Sequence, residues 1–360
     1  MVEIIQGDCL KSLRNLAPKS VNTCVTSPPY FGLRDYGTAE WEGGDEGCNH
    51  SYQVKTPYNK DFNERWGNSP GQKKQESQRH EVTYKGVCKK CGAIRKDSQI
   101  GLEETPEEFV ENLVRVFKEV KRVLRDDGTV WLNLGDTYCG TGHKGNHVDP
   151  KHKKGRNAQK TAVNNKLDGF KSKDLIGIPW RVAFALQQDG WYLRQDIIWH
   201  KPNPMPESVR DRCTKSHEYI FLLSKSMKYY YDNEVIKEDS ISIVKKRTRK
   251  VGMGVGSNIG TKGSAGNNGK RNKRSVWTVT TKPFKGAHFA VFPMDLIEPC
   301  VLAGCPEGGT VLDPFGGSGT TGLVAQNNNR NAILLELNPE YIEIAESRLY
   351  PKQRDFLNEN

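Results

Sequence analysis

Ser27-Pro28-Pro29-Tyr30, preceded by Thr26, puts a hydroxyl, two rigid rings and an aromatic face within a few residues of one another. An amino group conjugated to a ring is a poor nucleophile, because its lone pair is delocalised. Acceptors placed on its two hydrogens favour the pyramidal form that attacks. Ser27 Oγ and the Pro28 carbonyl are such acceptors, and the prolines preorganise the backbone that carries them. Tyr30 offers a face on which a planar base swung out of its helix can stack. Taken alone, the tetrapeptide is equally compatible with an ordinary loop that holds two prolines.

A second motif lies near the other end of the chain. Val311-Leu312-Asp313-Pro314-Phe315-Gly316-Gly317-Ser318-Gly319-Thr320-Thr321 reads as a strand running through a glycine turn into a helix. The glycines let the backbone turn tightly and approach a ligand. The amides of a helix starting near Thr320 would face the loop. Glu336 follows the glycines at about 20 residues and ends the next strand, where an acid binds ribose hydroxyls. The rivals are a purely structural turn and a dinucleotide site. The order departs from G-x-G-x-x-G, and Asp313-Pro314-Phe315 in front is unlike a dehydrogenase.

A third set has metal-ligand chemistry. Cys48-Asn49-His50 and Cys88-Lys89-Lys90-Cys91-Gly92 bracket a polar segment. A C-x-x-C-G knuckle with two further S/N ligands suits tetrahedral zinc, with His80 as a substitute for one member of the tight Cys48/His50 pair. The expectation is a structural zinc held by Cys48, His50, Cys88 and Cys91, since the segment has few apolar residues and needs a staple. Four free polar side chains in a loop are the alternative.

The elements that position these residues alternate between strands and helices, which implies an α/β fold with a mostly parallel, doubly wound sheet. Strands are expected at 3–8, 21–26, 129–134, 191–199, 218–223, 310–313 and 332–336. The run from Val21 stops at the Pro-Pro pair. A helix begins after Thr105 as N-cap, with Pro106 in the first turn, Glu108 at the capping-box position and Phe109, Leu113, Val116, Phe117, Val120, Val123 and Leu124 as its apolar face. Further helices are expected over about 174–189, near 294–303, after the glycine loop and from Pro339. Residues 40–99 break the rhythm and read as an insertion, 139–173 as a mobile basic loop, and 235–280 as a basic, glycine-rich region. Trp131, Trp191 and Trp199 read as core aromatics, and Asp136 as a site residue or a helix cap.

Of 360 residues, 35% are hydrophobic, the mean hydropathy is −0.71 and the net charge is +11, with a pI near 9.1. That balance points to a polyanionic partner. Much of the excess falls in 241–275, where Lys245, Lys246, Arg247, Arg249, Lys250, Lys262, Lys270, Arg271, Lys273 and Arg274 occur without an acidic residue. A solvated loop is the bland reading, and phosphate tracking the one clustering favours. Met1 to Ile5 begins a strand pattern rather than a leader, and no apolar run approaches the roughly 20 residues of a membrane span. Nine scattered cysteines point to a reducing compartment, hence to a cytoplasmic protein.

With both motifs in this order, the chain resembles the β group of amino-group DNA methyltransferases, in which the catalytic motif precedes the cofactor motif. Ser27-Pro28-Pro29-Tyr30 is similar to the family's catalytic tetrapeptide, and Asp313 to Thr320 to its S-adenosylmethionine loop. Gly7-Asp8 resembles the acidic turn near the cofactor's adenine. His288-Phe289-Ala290-Val291-Phe292-Pro293 resembles the segment against its methionine end, and Ile197-Ile198-Trp199-His200-Lys201 the strand and loop beside the target base. The resemblance covers 1–38, 100–138, 174–235 and 280–350, with the target-recognition region at 235–280.

The resemblance implies a Rossmann-like S-adenosylmethionine-dependent methyltransferase fold with seven strands. It implies a catalytic set of Ser27, Pro28, Pro29 and Tyr30, and a cofactor set of Asp8, Thr26, Phe292, Pro293, Asp313, Pro314, Phe315, Gly316, Gly317, Ser318, Gly319, Thr320, Glu336 and Asn338. Double-stranded DNA is the implied partner, met by Lys201, Lys245, Lys246, Arg247, Arg249, Lys250, Arg271, Lys273 and Arg274. A homodimer and a separately acting cognate restriction endonuclease are compatible with it. Serine at the first motif position is typical of N4-cytosine enzymes and aspartate of N6-adenine enzymes, so cytosine N4 is expected and adenine N6 is the first alternative. A catalytically inactive DNA-binding protein of the same fold is another. An RNA or protein-amide methylase is a further one, though those usually carry Asn before Pro-Pro-Tyr. Pro299-Cys300 has the context of a C5-cytosine nucleophile but precedes the cofactor strand, so Cys300 is expected in the core.

Overall fold

The computed structural model describes residues 1–32, 38–55, 79–83, 86–140, 167–240, 269–282 and 291–351. The chain divides into a large unit, Met1–Tyr36 with Ile100–Asn360, and a small one, Gly37–Gln99.

The large unit is built on a sheet of eight strands: β1 (Val2–Gln6), β2 (Val21–Thr26), β3 (Leu124–Leu134), β4 (Tyr192–His200), β5 (His217–Ser224), β6 (Val276–Thr278), β7 (Thr310–Asp313) and β8 (Asn331–Glu336). Their order across the sheet is β1-β8-β7-β2-β3-β5-β4-β6. All pairings are parallel except those of β5, which runs antiparallel to both β3 and β4. Among the described residues six helices accompany it: α1 (Cys9–Asn15), α2 (Pro106–Val123), α3 (Ile178–Gln188), α4 (Met294–Gly304), α5 (Thr320–Asn327) and α6 (Pro339–Leu349).

Side-chain alternation along the strands feeds two cores, one on each face of the sheet. Cys24, Val130, Leu132 and Leu134 pack with α1, α2 and α3 through Leu13, Phe109, Phe117 and Val182. Val25 and Trp131, one residue out of phase, pack with α4 and α5 through Leu296, Cys300, Val301 and Val324. Cys300 is fully buried there, and burial raises its thiol pKa, as expected for a core residue.

The topology fixes where a ligand would lie. The unit β7-α5-β8 winds towards one sheet edge, and β2-α2-β3 winds towards the other. Between the neighbours β7 and β2 the order reverses, and a crevice opens outside their carboxyl ends. Those ends carry Asp313 with the glycine loop and Thr26 with Ser27.

The sheet departs from the seven strands expected. The eighth, β6, lies within the basic region and pairs Val276, Trp277 and Thr278 with Ile198, Trp199 and His200. Trp277, 6% exposed, anchors it in the second core. α3 begins at Ile178, four residues later than expected. Asp136 Oδ1 accepts the amides of Gly177 and Ile178, each at 3.0 Å, and so sets the helix start. Asp136 is therefore a cap. At α2, Thr105 Oγ1 accepts the Glu108 amide as expected, but the Glu108 carboxylate reaches back to the amide of Glu104 rather than that of Thr105.

Among its described residues the small unit holds two antiparallel ribbons where no regular element was expected. Glu40–Glu42 pairs with Ile94–Lys96, and Ser51–Lys55 with Arg79–Thr83. Among the described residues, no helix is long and apolar enough to cross a membrane.

Candidate active site

The crevice is built around a buried carboxylate at the end of β7. Asp313, 1% exposed, accepts hydrogen bonds from Thr26 Oγ1 and Thr321 Oγ1, each at 2.6 Å, and from the Phe315 amide at 3.0 Å. It thus joins β2, the glycine loop and the start of α5. Burial raises its pKa to about 6 against the pull of these donors. Thr26 is buried as deeply, so Thr26 and Asp313 hold the site together from behind.

The glycine loop is shaped by contact. A Cβ on Gly316 would stand 3.0 Å from Leu334 Cβ, and one on Gly319 2.9 Å from Ala345 Cβ. Gly319 also adopts φ +77° as the N-cap of α5, with no side-chain cap, so that helix's first amides point at the crevice without a side-chain acceptor. Ser318 and Thr320 are tied from outside by Arg348 Nη1, at 2.8 Å and 3.0 Å from their hydroxyls. Glu336 accepts the Gly317 amide at 2.7 Å and the Asn338 amide at 2.8 Å. Burial raises its pKa. A carboxylate offers about four acceptor directions, so capacity remains for hydroxyl donors. Asn338 caps α6 and Pro293 is the N-cap residue of α4, with the half-buried Phe292 before it. Asp8 accepts the Lys11 amide at 2.9 Å as the N-cap of α1. A close-approach glycine turn, uncapped helix amides and an acid one strand away fit an adenosine-bearing cofactor.

The tetrapeptide follows β2 directly. Ser27 Oγ donates a long hydrogen bond, 3.4 Å, to the Tyr30 hydroxyl, which donates to Glu218 Oε2 at 2.7 Å. Asn133 Nδ2 donates to the same carboxylate oxygen at 3.2 Å and to the Tyr219 carbonyl at 3.1 Å. Lys201 Nζ pairs with Glu218 Oε1 and lies 4.1 Å from the centre of the Trp199 ring. Lys215, also near Glu218, has its pKa lowered by burial. The Tyr30 ring packs on Gly135, where a Cβ would stand 2.5 Å from Cε2. Gly101 accepts the Gly32 amide at 2.9 Å and closes the loop's far side.

Of the basic residues expected at phosphates, Lys201 is engaged by Glu218, both side chains being less than a fifth exposed. Arg271 and Arg274 share Glu238 at 2.9 and 2.7 Å, and Lys273 lies 5.0 Å from the Trp277 ring centre. Lys245, Lys246, Arg247, Arg249, Lys250 and His288 to Ala290 lie outside the described residues, as does most of the expected loop 139–173 and the side chain of His80.

Sequence reasoning missed Glu218, Lys215 and Asn133. Asn133 left a signal, as a polar residue interrupting the apolar run of β3. Glu218 left none, since its partners Tyr30 and Asn133 lie 188 and 85 residues away.

In the small unit, one ligand atom each from Cys48, His50, Cys88 and Cys91 lie within 4.8 Å of one another. Backbone amides of Asp45 and Ala93 hold the Cys91 thiol pKa below its ordinary value.

Comparison with known proteins agrees with this arrangement. The model of the N6_N4_Mtase family, described as DNA methylase, matches residues 21–347. The Type II methyltransferase M.Cfr9I of Citrobacter freundii is 43% identical over 347 residues, covering 96% of this chain and 87% of that protein. M.SmaI of Serratia marcescens is 41% identical over 347 residues, covering 96% and 90%. In fold, the chain is similar to a solved PvuII DNA methyltransferase described as cytosine-N4-specific, with a TM-score of 0.56 at 16% identity, covering 98% of this chain and 87% of that one. With the crevice, its glycine loop and the Ser-Pro-Pro-Tyr segment in one place, the chain belongs to the N6/N4 family of S-adenosylmethionine-dependent DNA methyltransferases.

Proposed function

We propose that this enzyme methylates the exocyclic N4 of cytosine within a short specific sequence of duplex DNA. The observation that carries the reading is Ser27 as the first residue of the tetrapeptide, directly after β2 and across the switch point from the glycine loop. A hydroxyl there is neutral and accepts from an amino hydrogen. The target base leaves the helix so that its amino group reaches Ser27. Ser27 Oγ and the Pro28 carbonyl take the two amino hydrogens and favour a pyramidal nitrogen. Donation from Ser27 to Tyr30 turns the lone pairs of Oγ towards that group, and Glu218 holds Tyr30 in turn. S-adenosylmethionine supplies an electrophilic methyl group on a sulfonium. Ser27 and the Pro28 carbonyl would hold the amino nitrogen ready to receive that methyl group, and the surplus proton the nitrogen gives up would leave past Ser27 to water. No covalent enzyme–base intermediate forms. The cofactor set is Asp8, Phe292, Pro293, the glycine loop, Glu336 and Asn338, and Lys245 to Lys250 with Arg271, Lys273 and Arg274 meet phosphates.

Expression in a host lacking other DNA methyltransferases, followed by single-molecule sequencing, tests the reading. A modified cytosine at one recurring sequence is expected. A modified adenine there would overturn the cytosine assignment.

A further inference from the structure

We propose that Cys48, His50, Cys88 and Cys91 bind one zinc ion tetrahedrally, and that this ion holds the Gly37–Gln99 unit in its fold. The distances carry the argument. A tetrahedron with Zn–S of about 2.3 Å and Zn–N of about 2.0–2.1 Å requires edges of about 3.8 Å between sulfurs and about 3.6 Å between sulfur and nitrogen. The Cys48 and Cys88 sulfurs stand 3.8 Å apart, and Cys91 Sγ stands 3.5 Å from His50 Nδ1. The six separations among these four atoms are all within 4.8 Å.

The surrounding chain is shaped for the same purpose. The Gly92 amide bonds the Cys88 carbonyl and the Cys88 amide bonds the Ala93 carbonyl, both at 2.8 Å, with Gly92 at φ +78°. That is the tight turn a C-x-x-C knuckle needs to aim two sulfurs at one point. Gly44 brings the first half of the clasp against the second, since a Cβ there would meet Cys91 Sγ at 2.8 Å. The His50 amide donates to Cys48 Sγ at 3.4 Å, and Trp41 stacks on the His50 ring at 4.3 Å and 16°. His50 itself adopts φ +47°, a left-handed backbone uncommon for a residue other than glycine.

Among its described residues the unit has little apolar packing to hold it. Among its described residues only Ser51, Cys88, Ala93 and Gln99 are buried, and none belongs to either hydrophobic core. A chain segment of this size with so few buried apolar groups relies on a cross-link or a metal. Methyl transfer needs no metal, and all four ligand positions are filled by protein, so the ion is structural.

The test is metal analysis of the full-length enzyme purified without chelator. One zinc per chain is expected. Cys88→Ser and Cys91→Ser lose it, whereas Cys213→Ser, at an exposed cysteine of the large unit, retains it. Should the ligand variants not fold, wild-type enzyme grown with cobalt(II) provides a second readout. The visible absorption of tetrahedral cobalt with thiolate ligands supports the site, and an octahedral spectrum overturns it. A folded wild-type enzyme without zinc, a Cys48–Cys88 disulfide, or zinc retained by both ligand variants would each overturn the proposal.

Discussion

The Tyr30 hydroxyl stands 2.7 Å from the carboxylate of Glu218, 188 residues away, and through it the tetrapeptide is tied to β5. The same carboxylate engages Lys201 and Asn133. Ser27 is thus linked through Tyr30 to Glu218 on β5, Asn133 on β3 and Lys201 just after β4.

Replacing Glu218 by Gln removes the charge that orients Tyr30 and leaves Lys201 without its counterion. A hydrogen bond to a charged group contributes about 1.5–3 kcal/mol, so kcat should fall roughly 10- to 100-fold. Affinity for S-adenosylmethionine should hold, because Glu218 lies off the glycine loop. Steady-state kinetics with separate cofactor titration checks this. An unchanged kcat would remove Glu218 from the site.

Gly135→Ala should act on the same group by contact. Its Cβ would stand 2.5 Å from the Tyr30 ring, so the ring must move and Ser27 loses its partner. Activity should fall at least as far as in Tyr30→Phe. A fully active Gly135→Ala enzyme would show that the placement of the Tyr30 ring does not matter.

Asp313 gives the site a pH signature. Its folded pKa, about 6, lies above the ordinary 3.8. Between these values the native state binds more protons than the unfolded state, so this group's contribution to stability is full below about pH 4 and is lost as pH rises through 6. By linkage the difference is roughly 3 kcal/mol. Asp313→Asn removes the titration. Urea unfolding of both proteins from pH 4 to 8 should show the wild type losing stability relative to the variant as pH rises. A gap moving the other way would contradict the buried, raised carboxylate.

Gly319→Ala should weaken cofactor binding. The residue sits at φ +77°, where a side chain costs roughly 1–2 kcal/mol, and its Cβ would press on Ala345. Calorimetry should show lower affinity for S-adenosylmethionine with the fold retained. Cys300→Ala, by contrast, should keep methyl transfer, since the thiol is buried in α4 away from the crevice.

Much of this was legible in the sequence because punctuation marks the ends of strands. Pro28-Pro29 ends β2, the glycine turn ends β7, and Thr105-Pro106 opens α2. These are local signals, and the functional groups stand beside them. What the sequence hid depends on pairing between distant segments. β6 is three residues long and surrounded by lysine and arginine, so no periodicity shows; Trp277 makes it a strand only by packing into a core formed elsewhere. Lys201 reads as a free cation until β4 and β5 pair and bring Glu218 to it. The ribbons of the small unit close over long separations in the same way.

The most direct measurement is mass spectrometry of nucleosides from unmethylated DNA treated with the enzyme and S-adenosylmethionine, run beside Ser27→Ala. The account predicts N4-methylcytosine from the wild type and none from the variant, with DNA still bound by both. N6-methyladenine, or N4-methylcytosine formed equally well without the Ser27 hydroxyl, would contradict it.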